Sequence, residues 1–272
     1  MTSGIDPALQ QLTESLQPAV GTAGYWLPLS GLTGLSGRID TVTGPLLARR
    51  QPLMPIPFVD RRREYRILKK LSAGGVAPQP LGCNAHWLLL PWQPGETLSA
   101  DDFSQCQQAV VSLLHQLHRQ PLTGYRLRLL PLLERYWQLC RQRHQPWQRA
   151  LRRLSRQGEP HPLRLAPLHM DVHPGNIIGT QGKLHFIDWE YAADGDVALD
   201  VAVLCAADPV RQRDWIACYA HQARLPLAQL EKQVRRWQPW LRLLMASWYQ
   251  LRAEQSGDPE LRQRASESWQ QL

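Results

Sequence analysis

Short stretches that mix apolar and polar residues occupy positions 25–29, 37–42 and 46–50, with Gly, Ser, Thr and Pro between them. This pattern predicts β-strands separated by turns. Residues 60–71 change period: Tyr65, Leu68 and Leu71 recur at helical spacing. Two further strands are predicted at 79–81 and 86–90, and Pro91 to Glu96 reads as a connector that breaks regular structure. Beyond it the helical period dominates. A helix is predicted over 101–118, with Val110, Leu113, Leu114 and Leu117 on one stripe. Others are predicted over 128–144, 146–157, 196–207, 209–224, 227–252 and 258–271. The helical region is interrupted once. There, residues 176–179 and 183–187 read as two short strands joined by a turn at Thr180, Gln181 and Gly182.

The switch in period divides the chain into a strand-rich part, 1–92, and a helical part, 93–272. A length of 272 residues, 43% hydrophobic and 20% charged, is enough for real cores. No run of about eighteen apolar residues occurs, so no transmembrane helix is expected. The first residues carry acidic groups and no basic, then apolar, leader pattern. Five scattered cysteines without CxxC spacing predict reduced thiols and a cytoplasmic location. The formal net charge is +8, and the basic residues are almost all Arg, with Lys at 69, 70, 183 and 232. No nucleic-acid motif accompanies them. They are read as solvated helix faces that help attract a polyanionic nucleotide, not as a nucleic-acid or membrane surface.

The chemistry concentrates where the helical pattern breaks. Residues 168–176 read LHMDVHPGN, and residues 186–190 read FIDWE. Pro174 and Gly175 turn the chain between Asp171 and Asn176. A hairpin between the two short strands then returns Asp188 close to Asn176. One Asp to accept a hydroxyl proton, with an Asn and a second Asp to hold Mg²⁺ against nucleotide phosphates, is a compact kit for phosphoryl transfer. Each Asp alone is better explained as a turn residue, but jointly the residues are far harder to explain that way. His169, Asp171 and His173 alternate and could instead form a metal site, though no further paired His or Cys motif supports zinc. Together with the division of the chain, the kit predicts an α+β, bilobal, protein-kinase-like fold. A small antiparallel-sheet N-lobe and a larger helical C-lobe would have the nucleotide between them.

LHMDVHPGN followed by FIDWEYA resembles the aminoglycoside phosphotransferase and choline kinase family. Residues 130–137 (LPLLERYW), 162–173 (PLRLAPLHMDVH), 187–192 (IDWEYA) and 233–237 (QVRRW) look like its bacterial thiamine kinase branch. The resemblance runs from about residue 30 onward. It implies an ATP-dependent kinase of a small alcohol, thiamine first, with choline, ethanolamine or an aminoglycoside as alternatives, working as a monomer with Mg²⁺. It implies Asp171 as catalytic base, Asn176 and Asp188 as Mg²⁺ ligands, His169 as a brace of the loop and Asp200 as a further support. It also implies Arg50 as the strand cation on the phosphates, steadied by Glu64 on the next helix; Arg49 would face the other way. Gly31, Gly34 and Gly37 could form a flexible loop over the phosphates, although GLTGLSG is not GxGxxG. Among the eleven Trp, Trp189, Trp237, Trp240 and Trp248 are candidates to offer an aromatic face to a cationic acceptor. A regulatory kinase-like module without catalysis, and an Arg-rich nucleic-acid binder, are the readings from other classes. The first is opposed by the intact Asp171, Asn176 and Asp188. The second predicts steeply salt-dependent binding.

Overall fold

The structure is a computed structural model that describes residues 6–16, 22–29, 35–180 and 182–272. Strands β1 (Thr22–Pro28), β2 (Ser36–Thr41), β3 (Gly44–Arg50), β4 (Gly82–Cys83) and β5 (Trp87–Pro91) form an antiparallel sheet in the order β1-β2-β3-β5-β4. All four residues from Trp87 to Leu90 are buried, because both faces of β5 are covered. Trp87 and Leu89 join Ile39 and Ala48 beneath Leu9 and Leu12 of helix α1 (Pro7–Leu16). Leu88 and Leu90 face the main core, where Ile67, Leu68 and Leu71 of helix α2 (Arg61–Leu71) also lie. Helix α1 is not predicted by the sequence pattern. It is short, its two large buried apolar residues are Leu9 and Leu12, and Asp6 starts it by accepting from the Ala8 amide at 2.9 Å.

The connector after β5 is less irregular than its Pro and Gly content predicts. Residues Glu96–Thr97 form β6, which pairs with the hairpin of β8 (Ile177–Thr180) and β9 (Lys183–Phe186). The linker is thereby fastened to the segment carrying Asn176 and Asp188. Two more strands are too short to show a period. They are β7 (Leu165–Leu168) and β10 (Ala193–Asp196), which pair antiparallel on either side of the 168–192 segment.

The predicted helix over 101–118 is two helices, α3 (Ala100–Gln105) and α4 (Gln107–His118), broken at Cys106. Helix α5 (Leu129–Leu139) ends earlier than its pattern, since the Glu254 carboxylate captures the amides of Arg141 at 2.7 Å and Gln142 at 3.0 Å. Then follow α6 (Gln145–Gln157), α7 (Val197–Ala207), α8 (Gln212–Ala223), α9 (Leu227–Ser256) and α10 (Pro259–Gln270). Most of the helical lobe's large side chains are core: Trp147, Trp189, Trp215, Trp237, Trp240 and Trp269 are all buried. No helix among the described residues is long and apolar enough to cross a membrane.

Candidate active site

The loop after β7 is built around Asp200. This residue is fully buried in α7, and its carboxylate accepts from the backbone amides of His169 at 2.8 Å and Met170 at 2.7 Å. His118 Nε2 stands 3.0 Å from the same carboxylate, and His118 Nδ1 contacts the Tyr219 hydroxyl at 2.5 Å. Asp200 is therefore a buried anchor of the loop and not a helix-surface residue. Met170, held at φ +67°, adopts a left-handed conformation that a non-Gly residue takes only when its surroundings enforce it. Fixing both neighbouring amides is such an enforcement, and it sets the direction in which Asp171 leaves the backbone.

His169 links the loop to the second chemical segment. Its Nε2 donates to the Ile187 carbonyl at 3.0 Å, which makes Nε2 the protonated nitrogen. Burial pushes its pKa below the ordinary value, so the ring is neutral. It packs against Phe186 and Trp189 at centroid distances of 4.8 and 4.7 Å. The next residue, Asp188, also has a positive φ, +62°.

The hairpin does what its spacing implied. Ile177 pairs with Phe186, and the Ile187 amide donates to the Asn176 carbonyl at 3.0 Å. Asn176 in turn gives its side-chain amide to the Asp171 carboxylate at 2.7 Å and to the Asp171 carbonyl at 3.0 Å. Asp171, Asn176 and Asp188 are thus drawn to one place; the side chains of Asp171 and Asp188 stay 34% and 39% exposed, Asp171 beside the exposed His173 and Asp188 beside the buried Arg49.

The strand cation is the main correction. Arg49, not Arg50, meets Glu64: Nη1 lies 2.5 Å from Glu64 Oε1, while Nη2 reaches Asp188 at 2.5 Å and Glu190 at 2.8 Å. Arg50 lies over the Trp87 ring at 5.7 Å. Strand alternation holds, but the inward face is the other one. Leu46, Ala48 and Arg50 share the side that α1 covers, so the opposite side, with Arg49, turns to the cleft. Glu64 is placed as expected, fully buried on α2. Gly31 and Gly34 lie outside the described residues.

Two groups that the sequence pattern did not single out complete the cluster. Arg61 donates to Glu64 at 2.7 Å and to Glu190 at 3.0 Å. The side chains of Arg49, Arg61, Glu64 and Glu190 are at most 4% exposed. Arg63 reaches the carbonyls of Phe58, Glu190 and Ala192 while stacking on the Phe58 ring, and burial pushes its pKa down to about 10. The signal for Arg61 was its spacing three residues before Glu64 on a helix, a standard meeting distance. Desolvation opposes the Asp188 charge, but Arg49's charge and hydrogen bond outweigh it and hold the carboxyl below its usual range. Glu190, more deeply enclosed and beside Asp188, is pushed up.

The donor set fits Mg²⁺. Asp188 has one oxygen on Arg49 and an exposed side chain. Asn176 spends its NH₂ on Asp171, which leaves the carbonyl oxygen as its ligand atom. Hard oxygen donors, few in number, are what Mg²⁺ takes when phosphates and water supply the rest. Among the described residues no cluster of three or more His, Cys, Asp or Glu could hold a metal. The alternative His169–Asp171–His173 site is not formed, because His169 is buried and turned to Ile187.

Comparison with known proteins gives one answer. Residues 30–240 match the model of the phosphotransferase enzyme family. Curated thiamine kinases from Escherichia coli O17:K52:H18 and Shigella dysenteriae serotype 1 are each 42% identical over 89% of this chain and 88% of their own length. The chain belongs to the phosphotransferase enzyme family. Its fold is that of the choline kinase LicA from Streptococcus pneumoniae, with a TM-score of 0.77 at 17% identity over 97% of this chain and 98% of that one. The same enzyme in complex with AMP matches with a TM-score of 0.76 at 16% identity over 99% of both chains. This chain is accordingly a bilobal α+β kinase, as its sequence pattern implied.

Proposed function

We propose that this phosphotransferase moves the γ-phosphoryl group of ATP to the primary hydroxyl of thiamine, giving thiamine monophosphate and ADP. The observation that carries the acceptor is the 42% identity to thiamine kinases over 89% of the chain, which extends far beyond the catalytic loop. In this reading residues 1–92 hold the nucleotide and residues 93–272 supply the base and the acceptor site. Asp171, oriented by Asn176, accepts the hydroxyl proton. Asn176 and Asp188 hold Mg²⁺, which when bound offsets charge on the phosphates. Arg49, steadied by Glu64, takes the phosphate role that the sequence had assigned to Arg50. Positioning and electrostatics provide the acceleration.

The acceptor is a cation with an aromatic ring. Trp189, Trp237 and Trp240 are buried, and the Trp237 and Trp189 indoles are committed to Asp196 and the Phe186 carbonyl. Trp248 is half-buried and donates to the Tyr191 hydroxyl at 2.6 Å, beside Glu190. Tyr191 lies three residues after Asp188 in sequence, and each ring face of this half-buried pair is worth about 0.5–2 kcal/mol to a cation.

The test is a comparison of kcat/KM for thiamine, choline, ethanolamine and kanamycin with Mg²⁺-ATP, scoring phosphorylated product. Thiamine is expected to lead. A clear preference for another acceptor overturns thiamine and leaves the kinase; no product from any acceptor overturns both.

A further inference from the structure

The net charge of the chain has one address. Between Arg126 and Gln157 there are nine Arg, no Lys and one acid, Glu134, a net of +8. The rest of the chain holds 22 basic and 22 acidic residues, so this segment accounts for the whole formal charge of +8. These arginines lie on α5, on α6, on their connection and just before α5. All nine, at 126, 128, 135, 141, 143, 149, 152, 153 and 156, are exposed.

None of the nine guanidinium groups lies within 4.0 Å of a carboxylate among the described residues, the one carboxylate contact being that of the Arg141 backbone amide with Glu254. Their polar contacts are with neutral groups: Arg135 with Gln138, Arg149 with Gln145, Arg143 with the Trp137 carbonyl and Arg156 with the Arg152 carbonyl. Glu159, just past the segment, is occupied with the Leu130 amide at 2.9 Å. Helix α6 has its apolar side buried through Trp147, Ala150 and Leu154. Arg149, Arg152, Arg153 and Arg156 fall on the opposite side, within a stripe about 100° wide. They repeat every three or four residues, about 5–6 Å along the axis. The depression between α5 and α6, about 510 Å³, is lined by Leu151, Arg152, Ser155 and Arg156 with Glu134.

We propose that this face is a docking surface for nucleic acid, held through its phosphates. Arginine forks pair with phosphate oxygens, and a row of them at regular spacing suits a repeating phosphodiester chain. A lipid surface fits less well, because no large apolar side chain is exposed between residues 126 and 157 to enter it. The face contains none of the groups assigned to phosphoryl transfer.

The experiment uses the full chain and a fluorescein-labelled 20-base-pair DNA duplex, with binding followed by anisotropy across a salt series. The quadruple variant Arg149→Gln, Arg152→Gln, Arg153→Gln, Arg156→Gln should bind at least 10-fold more weakly than the parent. Its slope of log K against log salt should shrink by about 3–4, near 0.9 for each phosphate that is no longer neutralised. Removing as many charges elsewhere, by Arg213→Gln, Lys232→Gln, Arg235→Gln and Arg236→Gln, should change affinity less than about 2-fold. Kinase activity of the first variant, expected at the parent level, confirms that it is folded. The proposal is overturned if the parent does not bind the duplex at low salt. It is equally overturned if both quadruple variants weaken binding alike, or if vesicles rich in phosphatidylglycerol bind the parent more tightly than the duplex does.

Discussion

Asp171 and Arg49 show how a side chain acquires a role from what holds it. Asp171 is partly exposed, oriented by Asn176 at 2.7 Å and placed by a backbone tied to Asp200. Asp171→Asn keeps the shape and removes the proton acceptor. Turnover is expected to fall by about 10²–10⁴-fold, with ATP affinity within about 3-fold of the parent because the proposed metal ligands are untouched; near-parent turnover would remove Asp171 from the base role. For Arg49 and Arg50 the decisive difference is the face of β3. Arg49→Ala should raise the KM for ATP by about 10-fold or more, the loss of a charge-assisted hydrogen bond of about 1.5 kcal/mol or above. Arg50→Ala, which loses a position over Trp87, should change it less than about 2-fold. Steady-state kinetics at saturating acceptor decides between them, and the reverse order would return the role to Arg50.

Helix α2 is the part of the small lobe that grips the large one. Arg61, Glu64 and Arg63 leave it to meet β3 and residues 188–192. Two arginines and two glutamates, all nearly fully buried, balance one another around Asp188. Arg61→Met leaves the three carboxylates of Glu64, Asp188 and Glu190 on Arg49 alone, and breaking a buried ion pair in this way costs about 3–5 kcal/mol. Adding Glu190→Gln removes one of those negative charges, so the double variant should recover part of the stability lost by the single one. Denaturant titrations of parent, both singles and the double variant form the cycle; additive losses would mean that Arg61 and Glu190 are not coupled. The same helix explains why the choice of arginine matters. With α1 covering one face of the sheet, polar side chains on the other face are the ones that can meet α2.

The two lobes are joined at rest by Arg49 reaching across to Asp188 and Glu190, and by β6 pairing with β8. A nucleotide held between Arg49 and Asp188 would therefore stabilise both lobes together. Mg²⁺-ATP at 100 times its Kd adds about 2.7 kcal/mol, which for a chain of this size raises Tm by roughly 5–10 °C. Asp188→Ala should lose most of this rise while ATP with EDTA gives the parent only a small one. Differential scanning fluorimetry reads both, and a full Mg²⁺-dependent rise in Asp188→Ala would make Asp188 peripheral to the metal.

Local chemistry was legible in the sequence by itself. The turn at Pro174-Gly175, the hairpin that follows and the helical stripes each depend on neighbours in sequence, so the convergence of Asp171, Asn176 and Asp188 and the two-lobe layout could be read from spacing, whereas Glu64 came from the family resemblance. Three things depended on distant chain. The choice of Arg49 rested on which sheet face α1 covers, more than thirty residues away. The pairing of β7 with β10 spans strands too short to carry a period. The Arg61–Glu190 contact joins residues 129 apart. Periodicity states which side chains share a face, but burial and ion pairing decide which face looks inward, and they are properties of the folded chain alone.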